Sequence, residues 1–333
     1  MSPSVSITPA PRPGLRTLPT RLTAALALLL ALATPCAAEP AGGTPRAVRV
    51  VASFTILADL VAQVGGAGVA VTSLVGPDAD AHSYSPTPDD ARRLAGADLV
   101  VVNGLGFEGW IERLIAASGT RAPVVAAAAG IRTIPANEDH DHARADAASD
   151  RPAGGADPSA ADPHAWQSVA NVRAYVAAIR DGLVRVDPAR AGLYAANAAA
   201  YDRQLDALDA EVRAAIGAIP EARRRIITTH DSFGYFADAY GLRFVAPQGV
   251  STASEPGPAD VARIIRQIRR DAIPAVFLET IADPRLMQQI ARESGARIGG
   301  RVFSDALSGA DGPAPSYLAM MRANLRAFRE ALG

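Results

Sequence analysis

The sequence predicts an α/β protein of two β/α lobes with mostly parallel sheets, joined by a long, rigid linker helix. Short β-rich runs alternate with helical runs in each half of the 333-residue chain, which is typical of parallel sheets covered by helices. A stretch with helical periodicity, residues 169–219, separates the two alternating halves. A chain of this length readily accommodates two domains.

The first half contains apolar runs bounded by turn residues, and these runs predict four strands, at 48–53, 69–75, 98–103 and 124–125. Segments with helical periodicity predict three helices between them, at 56–64, 88–95 and 107–118. The stretch 136–162 is rich in Ala, Asp, Gly and Pro and almost lacks large apolar residues. It is therefore predicted to be a flexible loop.

The central helical stretch is interrupted at Asp187 and Pro188, where a second, long helix is expected to begin. A helix of about 30 residues would extend about 45 Å, which is too long for one small lobe, so it is predicted to be a strut between two lobes. In the second half, strands are predicted at 225–229, 244–245, 275–278 and 300–304. Helices are predicted at 232–240, 258–270, 284–294 and 315–332.

The first 38 residues are predicted to be a signal peptide. Three arginines precede the 12-residue apolar stretch 22–33, which is too short to span a bilayer, and small residues at Cys36 and Ala38 suit cleavage after Ala38. The alternative is a lipoprotein anchored through Cys36, although Pro35 fits a lipobox poorly. Cys36 is the only cysteine, so a chain cleaved after Ala38 has neither disulfides nor thiolate ligands.

The bulk composition excludes several classes of function. Hydrophobic residues make up 49% and charged residues 20%, which excludes a disordered chain for most of the length. The formal net charge of −1 gives no electrostatic reason to expect a nucleic acid or an anionic membrane surface as partner. The predicted domains follow in order: a signal peptide at 1–38, an N-terminal metal-binding lobe at 39–187, a linker helix at 188–219 and a C-terminal metal-binding lobe at 220–333.

Several metal-ligating residue types stand at the ends of predicted strands. His230, Glu279 and Asp305 each directly follow a strand of the second half, and ligands of open parallel sheets bind at the carboxyl ends of strands. His82 and His164 lie in loops of the first half. A ligand held between two lobes would draw on both groups.

Three imidazoles and one carboxylate form a tetrahedral donor set suited to Zn²⁺, whereas manganese prefers more oxygen ligands. Four protein ligands also close the site, while catalytic zinc usually keeps one position for water. The sequence contains no HExxH, GxSxG or P-loop pattern. If Asp305 is a ligand, the residues therefore favour metal binding over catalysis.

Five motifs occur in one order along the chain: DAHSYSPTPDD at His82, DPHAWQSVAN at His164, THDSFGYFADAYGL at His230, STASEPGPADV at Glu255 and FSDALSG at Asp305. With these motifs the chain resembles the zinc and manganese substrate-binding proteins of bacterial ABC importers, the cluster that includes the ZnuA and TroA groups. The resemblance extends from about Val48 to the C-terminus.

This resemblance implies a metal ion between two lobes, with ligands at His82, His164, His230 and Asp305. Family members thought to prefer manganese usually carry Glu at the third of these positions, so His230 resembles the zinc type. The resemblance also implies an ABC permease and its ATPase as partners, with Zn²⁺ as the transported ligand. The acidic, His-rich loop of zinc-type relatives is reduced here to His140-Asp141-His142, which is either a capture site or an incidental pair of histidines.

The prediction is a periplasmic, high-affinity zinc-binding component of an ABC metal importer that is monomeric, peripheral to the membrane and not an enzyme. Three alternatives stay open: a manganese-importer binding protein, a zinc chaperone or adhesin with the same site, and an exported zinc hydrolase. Three carboxylates accompany the candidate ligands. Asp162 and Asp231 are expected either to orient a neighbouring imidazole or to cap a local turn or helix, and Glu279 to be a further ligand or an acceptor behind one.

Overall fold

A computed structural model describes residues 46–136 and 161–333, together with the isolated residues 8 and 10. These ranges contain eight strands in two four-stranded sheets, and nine α-helices. Apart from residues 8 and 10, the predicted signal peptide with Cys36 lies outside the described residues, and so do the loop histidines His140 and His142.

The first sheet has the strand order β2-β1-β3-β4, and all of its strand pairs are parallel. Its strands are β1 (Val48–Ala52), β2 (Val69–Ser73), β3 (Leu99–Val102) and β4 (Val124–Ala126). The helices that alternate with them are α1 (Thr55–Gly65), α2 (Pro88–Ala95) and α3 (Ile111–Ser118). Every residue of β3 is buried, as expected of a central parallel strand covered on both faces.

Helix α3 begins later than the sequence predicts, at Ile111 instead of Phe107. Gly104, Leu105 and Gly106 all have positive φ, at 86°, 57° and 76°. A right-handed helix needs negative φ angles, so these three consecutive residues with positive φ delay the start of the helix. The resulting loop brings the buried Glu108 carboxylate back to β3, where it accepts a hydrogen bond from the amide of Asn103 at 2.6 Å.

The central helical stretch consists of α4 (Val169–Val186) and α5 (Ala191–Gly217), separated by a 3₁₀ turn. The carboxylate of Asp187 joins the two helices by accepting hydrogen bonds from Arg190 Nη1 at 2.5 Å and Tyr194 Oη at 2.7 Å. The second helix therefore begins just after the predicted position. With 27 residues α5 extends about 40 Å and contacts α1 and α4 of the first half and the helices Gly234–Tyr240 and Tyr317–Leu332 of the second half.

The second sheet has the order β6-β5-β7-β8 and is also parallel throughout. Its strands are β5 (Arg225–Ile227), β6 (Arg243–Val245), β7 (Ala275–Glu279) and β8 (Arg297–Val302). The helices of this half are α6 (Gly234–Tyr240), α7 (Pro258–Arg270), α8 (Arg285–Ser294) and α9 (Tyr317–Leu332). The predicted fold class, two β/α lobes with parallel sheets and a long connecting helix, is confirmed.

Strand β8 begins three residues earlier than the predicted strand at 300–304, since Arg297, Ile298 and Gly299 belong to it, and it ends two residues earlier. A Cβ at Gly299 would lie 2.7 Å from Cζ of Phe277, so the absence of a side chain lets the strand pass over this buried ring. Glycine pairs usually indicate a turn, but here they allow close packing.

The largest apolar core is continuous between the two halves of the molecule. Trp166 is fully buried and its ring centroid lies 5.1 Å from that of Phe54. The backbone carbonyl of Trp166 accepts a hydrogen bond from Tyr317 Oη, at the start of α9, at 2.8 Å. Within the described ranges, no helix has the length and apolar character needed to cross a membrane.

Candidate metal centre

Four metal-ligating side chains from distant parts of the chain meet between the two sheets. His82, His164, His230 and Asp305 each offer one ligand atom, and these atoms all lie within 4.8 Å of one another. The side chains of His164, His230 and Asp305 are completely buried, and that of His82 is 4% exposed. The structure therefore brings together all four residues that the sequence analysis singled out as ligands.

The distances between these atoms match the dimensions of a coordination cage. Nε2 of His82 lies 3.2 Å from Nε2 of His164 and 3.4 Å from Oδ2 of Asp305. Nε2 of His230 lies 3.1 Å from the same Oδ2, and Nε2 of His164 lies 3.8 Å from Oδ1. A tetrahedral ion with bonds of about 2.0–2.1 Å separates its ligand atoms by about 3.3 Å, close to these distances.

The parallel sheets explain why these residues meet. His230 follows β5 and Asp305 follows β8, so both stand at the carboxyl-end edge of the second sheet. His82 lies in the loop between β2 and α2, and His164 directly precedes the 3₁₀ turn Ala165–Gln167 that leads into α4. Each half of the molecule thus contributes two of the four side chains.

The ring of His164 is held by a carboxylate two residues before it. Oδ1 of Asp162 lies 2.8 Å from Nδ1 of His164 and also accepts a hydrogen bond from the His164 amide at 2.8 Å. The backbone carbonyl of Asp162 accepts a hydrogen bond from Tyr235 Oη at 2.9 Å. A Cβ on Gly234 would lie 2.5 Å from Oδ2 of Asp162, so the approach of this carboxylate requires glycine there. Asp162 therefore has the orienting position expected from the sequence.

The ring of His230 is held by Glu279 at the end of the neighbouring strand β7. Oε2 of Glu279 lies 2.5 Å from Nδ1 of His230. Its other oxygen, Oε1, accepts hydrogen bonds from the amides of Thr229 at 2.8 Å and His230 at 3.0 Å. Glu279 thus lies on the far side of the ring from Asp305, at ion-pair distance from Nδ1 of His230. Glu279 is thus found beside an imidazole, as one of its two sequence-based alternatives expects, whereas orientation of an imidazole or capping of the next helix by Asp231 stays a prediction.

The loop that carries His82 is fixed by backbone contacts. Asp80 Oδ1 accepts a hydrogen bond from the His82 amide at 2.8 Å, and the carbonyl of Ala81 accepts one from Trp110 Nε1 at 2.7 Å. The ring of Phe107 packs edge-on against the His82 ring, with centroids 4.5 Å apart. Neither Phe107 nor Trp110 is among the predicted site residues. Their position after strand β3, at the ligand-facing edge of the sheet, is the signal in the sequence that indicates them.

Aromatic side chains close the side of the site next to His164. The ring centroid of Trp166 lies 5.3 Å from that of His164 and 4.8 Å from that of Phe107. Trp166 Nε1 donates a hydrogen bond to the carbonyl of Ser304 at 2.8 Å, which fixes the backbone directly before Asp305. These contacts exclude water and join ligand segments of both halves.

The charges of the buried ligand groups shift one another's pKa values. Burial lowers the pKa of the His230 imidazole, but the charges of Glu279 and Asp305 outweigh burial and hold this pKa well above its ordinary value. Burial likewise raises the pKa of Asp305, yet the neighbouring His230 and His164 outweigh it and bring this pKa well below its usual range. For His82 burial dominates and lowers the imidazole pKa.

This arrangement is suited to holding a divalent cation. Both carboxylate oxygens of Asp305 and Nε2 of His230 are buried and have no hydrogen-bond partner of good geometry within the described residues. Buried polar groups without such partners are costly in a folded protein. A cation coordinated by these atoms would satisfy them together, and the carboxylates of Asp162 and Glu279 would fix the two imidazoles behind it.

The fold and this cage define a class, that of the metal-binding proteins that serve ABC transporters. The family described as zinc-uptake complex component A, periplasmic, matches residues 50–331, and the chain belongs to this family. The predicted family is thereby confirmed. The chain is a metal-binding, substrate-binding protein of an ABC transporter and is not an enzyme.

Individual relatives are named for different metals. The chain is 33% identical to the iron-binding protein YfeA of Yersinia pestis, over 87% of this chain and 88% of that one. It is 32% identical to the manganese-binding lipoprotein MntA of Halalkalibacterium halodurans, over 90% and 94% of the two chains. Among solved structures, the periplasmic zinc-binding protein TroA of Treponema pallidum is similar with a TM-score of 0.76 and 30% identity, covering 86% of this chain and all of that one.

Proposed function

We propose that this protein is the periplasmic, high-affinity zinc-binding component of an ABC importer, which captures Zn²⁺ and delivers it to a membrane permease driven by an ATPase. His82, His164, His230 and Asp305 are its ligands. The observation that carries the proposal is the mutual approach of three imidazole nitrogens and one carboxylate between the two sheets.

The donor set supports zinc as the cargo. Imidazole nitrogen is a preferred ligand of Zn²⁺, and three imidazoles with one carboxylate match its tetrahedral preference. Mn²⁺ favours oxygen-rich surroundings. The relatives named for iron and manganese make the identity of the metal the first point to test.

A manganese-importer binding protein is the second candidate. It is favoured by the name of the MntA relative and by the two carboxylate oxygens of Asp305, which both face imidazole nitrogens. A bidentate carboxylate would raise the number of ligand atoms from four to five and add an oxygen, which suits Mn²⁺ better than four-coordinate zinc.

We further propose that the mature chain acts outside the cytoplasm as a monomer. The support is the predicted signal peptide at 1–38 and the periplasmic component that defines the family. The relatives named as lipoproteins support a lipid anchor at Cys36 as the alternative to a free protein. Mass spectrometry of the exported chain distinguishes an N-terminus at Glu39 from a lipidated Cys36.

Elemental analysis of the protein, purified without a chelator or a histidine tag, tests the proposed function. We expect one zinc ion per chain, lost in His230→Ala and retained in a His140→Ala, His142→Ala double variant, which leaves the buried site intact. Equal competition by Mn²⁺ for the site would favour the manganese alternative. A wild-type chain that binds neither metal would refute the proposed function.

A further inference from the structure

We propose that Thr252 and Asp80 form a latch between the two halves of the molecule, and that this latch sets the rate at which the metal ion enters and leaves. The inference rests on the proposed metal-binding function and assigns a positioning role to two residues outside the ligand set. It is carried by one hydrogen bond, from Thr252 Oγ1 to Asp80 Oδ2, with a length of 2.6 Å.

Asp80 connects this hydrogen bond to a ligand. Its Oδ1 accepts a hydrogen bond from the His82 amide at 2.8 Å, and its Oδ2 accepts one from Ser83 Oγ at 2.7 Å in addition to the one from Thr252. One carboxylate therefore binds the His82 backbone amide and the Ser83 hydroxyl at the same time. Loss of the Thr252 contact would free the His82 loop from the opposite half of the molecule.

Thr252 belongs to the loop between β6 and α7, which lies beside the second ligand histidine. Gln248 of this loop forms an isolated parallel bridge with His230. A cavity of about 380 Å³ lies between this loop and the segment 281–286 of the second half, and Asp80 is the residue of the first half that lines it, together with Thr229 and Thr252. Asp80 and Thr229 are close neighbours of His82 and His230 in sequence, so the cavity borders the loops that carry these two ligands.

The other sides of the site are closed more firmly. His164, His230 and Asp305 have no exposed side-chain surface, whereas His82 retains 4%. The aromatic rings of Phe107 and Trp166 cover the side next to His164. His82 is therefore the ligand nearest to solvent, and the hydrogen bond between Thr252 and Asp80 joins its loop to the opposite half of the molecule.

A latch has a kinetic signature that a merely stabilising contact lacks. Thr252 is not a ligand, so its loss changes how often the His82 loop opens and leaves the coordination of the bound ion unchanged. Association and dissociation should then accelerate together, while the affinity stays nearly constant. A contact that only strengthens the bound state would alter dissociation and affinity and leave association unchanged.

Stopped-flow mixing with Zn²⁺, and separately with Mn²⁺, tests this signature, with a chromogenic chelator to follow release. Thr252→Val keeps the shape of the side chain and removes the donor, and we expect both rate constants to rise about tenfold, the scale of one hydrogen bond to a charged group in a part-exposed place. The dissociation constant should change less than about twofold, because both rates rise by the same factor. Thr252→Ser keeps the donor and should behave like the wild type.

The possible results separate the alternatives. Unchanged rates in Thr252→Val would overturn the latch, and so would faster dissociation alone with a matching loss of affinity. Either result leaves the proposed function standing, provided that the wild type binds its metal tightly. A wild-type chain that binds neither ion would refute the proposed function and the latch with it.

Discussion

Oε2 of Glu279 lies 2.5 Å from Nδ1 of His230, while Oε1 of the same carboxylate accepts hydrogen bonds from two backbone amides at the end of β5. Glu279 ends β7, the strand next to β5, so two adjacent parallel strands cooperate to aim one imidazole. The result is that Nε2 of His230 faces Asp305 at 3.1 Å. Such carboxylate–histidine pairs fix the ring tautomer and increase the basicity of the ligand nitrogen.

Removing the charge of Glu279 should therefore weaken metal binding without removing a ligand. We expect Glu279→Gln to lower the zinc affinity by about 10–100-fold, the usual effect of losing such a partner. Competition with a chelator of known affinity measures the change. Glu293→Gln is the control, because Glu293 is exposed on α8 and contacts Gln289 of the same helix. Equal affinities of the two variants would show that Glu279 has no role in binding.

The close approach of Asp162 to Gly234 gives a test of the second carboxylate–histidine pair, that of Asp162 and His164. In Gly234→Ala the new Cβ would lie 2.5 Å from Oδ2 of Asp162 and 3.1 Å from Cδ1 of Ile134, so Asp162 has to move away from His164. We expect a loss of zinc affinity of about tenfold or more by calorimetry. Gly192→Ala is the matched control, since a Cβ there meets nothing within 4 Å. If both variants bind like the wild type, the Asp162 contact is not required for the orientation of His164.

Metal affinity should increase with pH. The raised pKa of His230 keeps a proton on this ring in the metal-free protein at neutral pH, and a ligand imidazole must give up that proton. Binding near pH 7 should release about one proton per ion, measurable by calorimetry in buffers of different ionisation enthalpy. Affinity should fall steadily as the pH is lowered from about 7.5 to about 5. A flat profile would contradict ligation by His230.

In the metal-free protein, the contribution of His230 to folding stability should show the opposite pH dependence and decrease as the pH rises. A pKa raised by folding stabilises the folded state fully below the unfolded imidazole value of about 6.5, and this contribution is lost as the pH rises through the folded value. We expect the stability advantage of the wild type over His230→Gln, measured by urea unfolding with chelator present, to shrink above about pH 6.5. An advantage that grows with pH would mean that the carboxylates do not hold a proton on His230.

The long helix α5 supports both halves through its buried face. Leu208 is fully buried there, so Leu208→Ala should lower the free energy of unfolding by about 2–5 kcal/mol. Leu193 lies on the same helix with 40% exposure, and Leu193→Ala should change stability by less than about 0.5 kcal/mol. Urea unfolding followed by circular dichroism compares the two. Similar losses in both variants would contradict the packing described for α5.

Much of this architecture follows from local sequence patterns. The alternation of Val-rich runs and helical segments predicts the parallel sheets, because a central strand such as β3 must be apolar on both faces. His230 and Asp305 could be located because residues after parallel strands reach a common edge. The five motifs added His82 and His164, whose loop positions carry no periodic pattern.

Other features depend on tertiary contacts that no local pattern encodes. The late start of α3 results from three consecutive left-handed residues, one of which, Leu105, is not a glycine. The approach of Glu279 to His230 depends on the pairing of β5 with β7, since Glu279 is distant in sequence. Thr252 lies in the irregular loop between β6 and α7, and its approach to Asp80 is what distinguishes it.

X-ray absorption at the zinc K edge, on protein loaded with one equivalent of Zn²⁺, tests most directly whether the four side chains hold the ion. We predict a four-coordinate spectrum with the multiple scattering of three imidazoles and one oxygen ligand, with distances near about 2.0–2.1 Å. His82→Ala, His164→Ala and His230→Ala should each reduce the imidazole contribution. A spectrum of oxygen ligands alone, unaffected by any of these substitutions, would contradict the central claim.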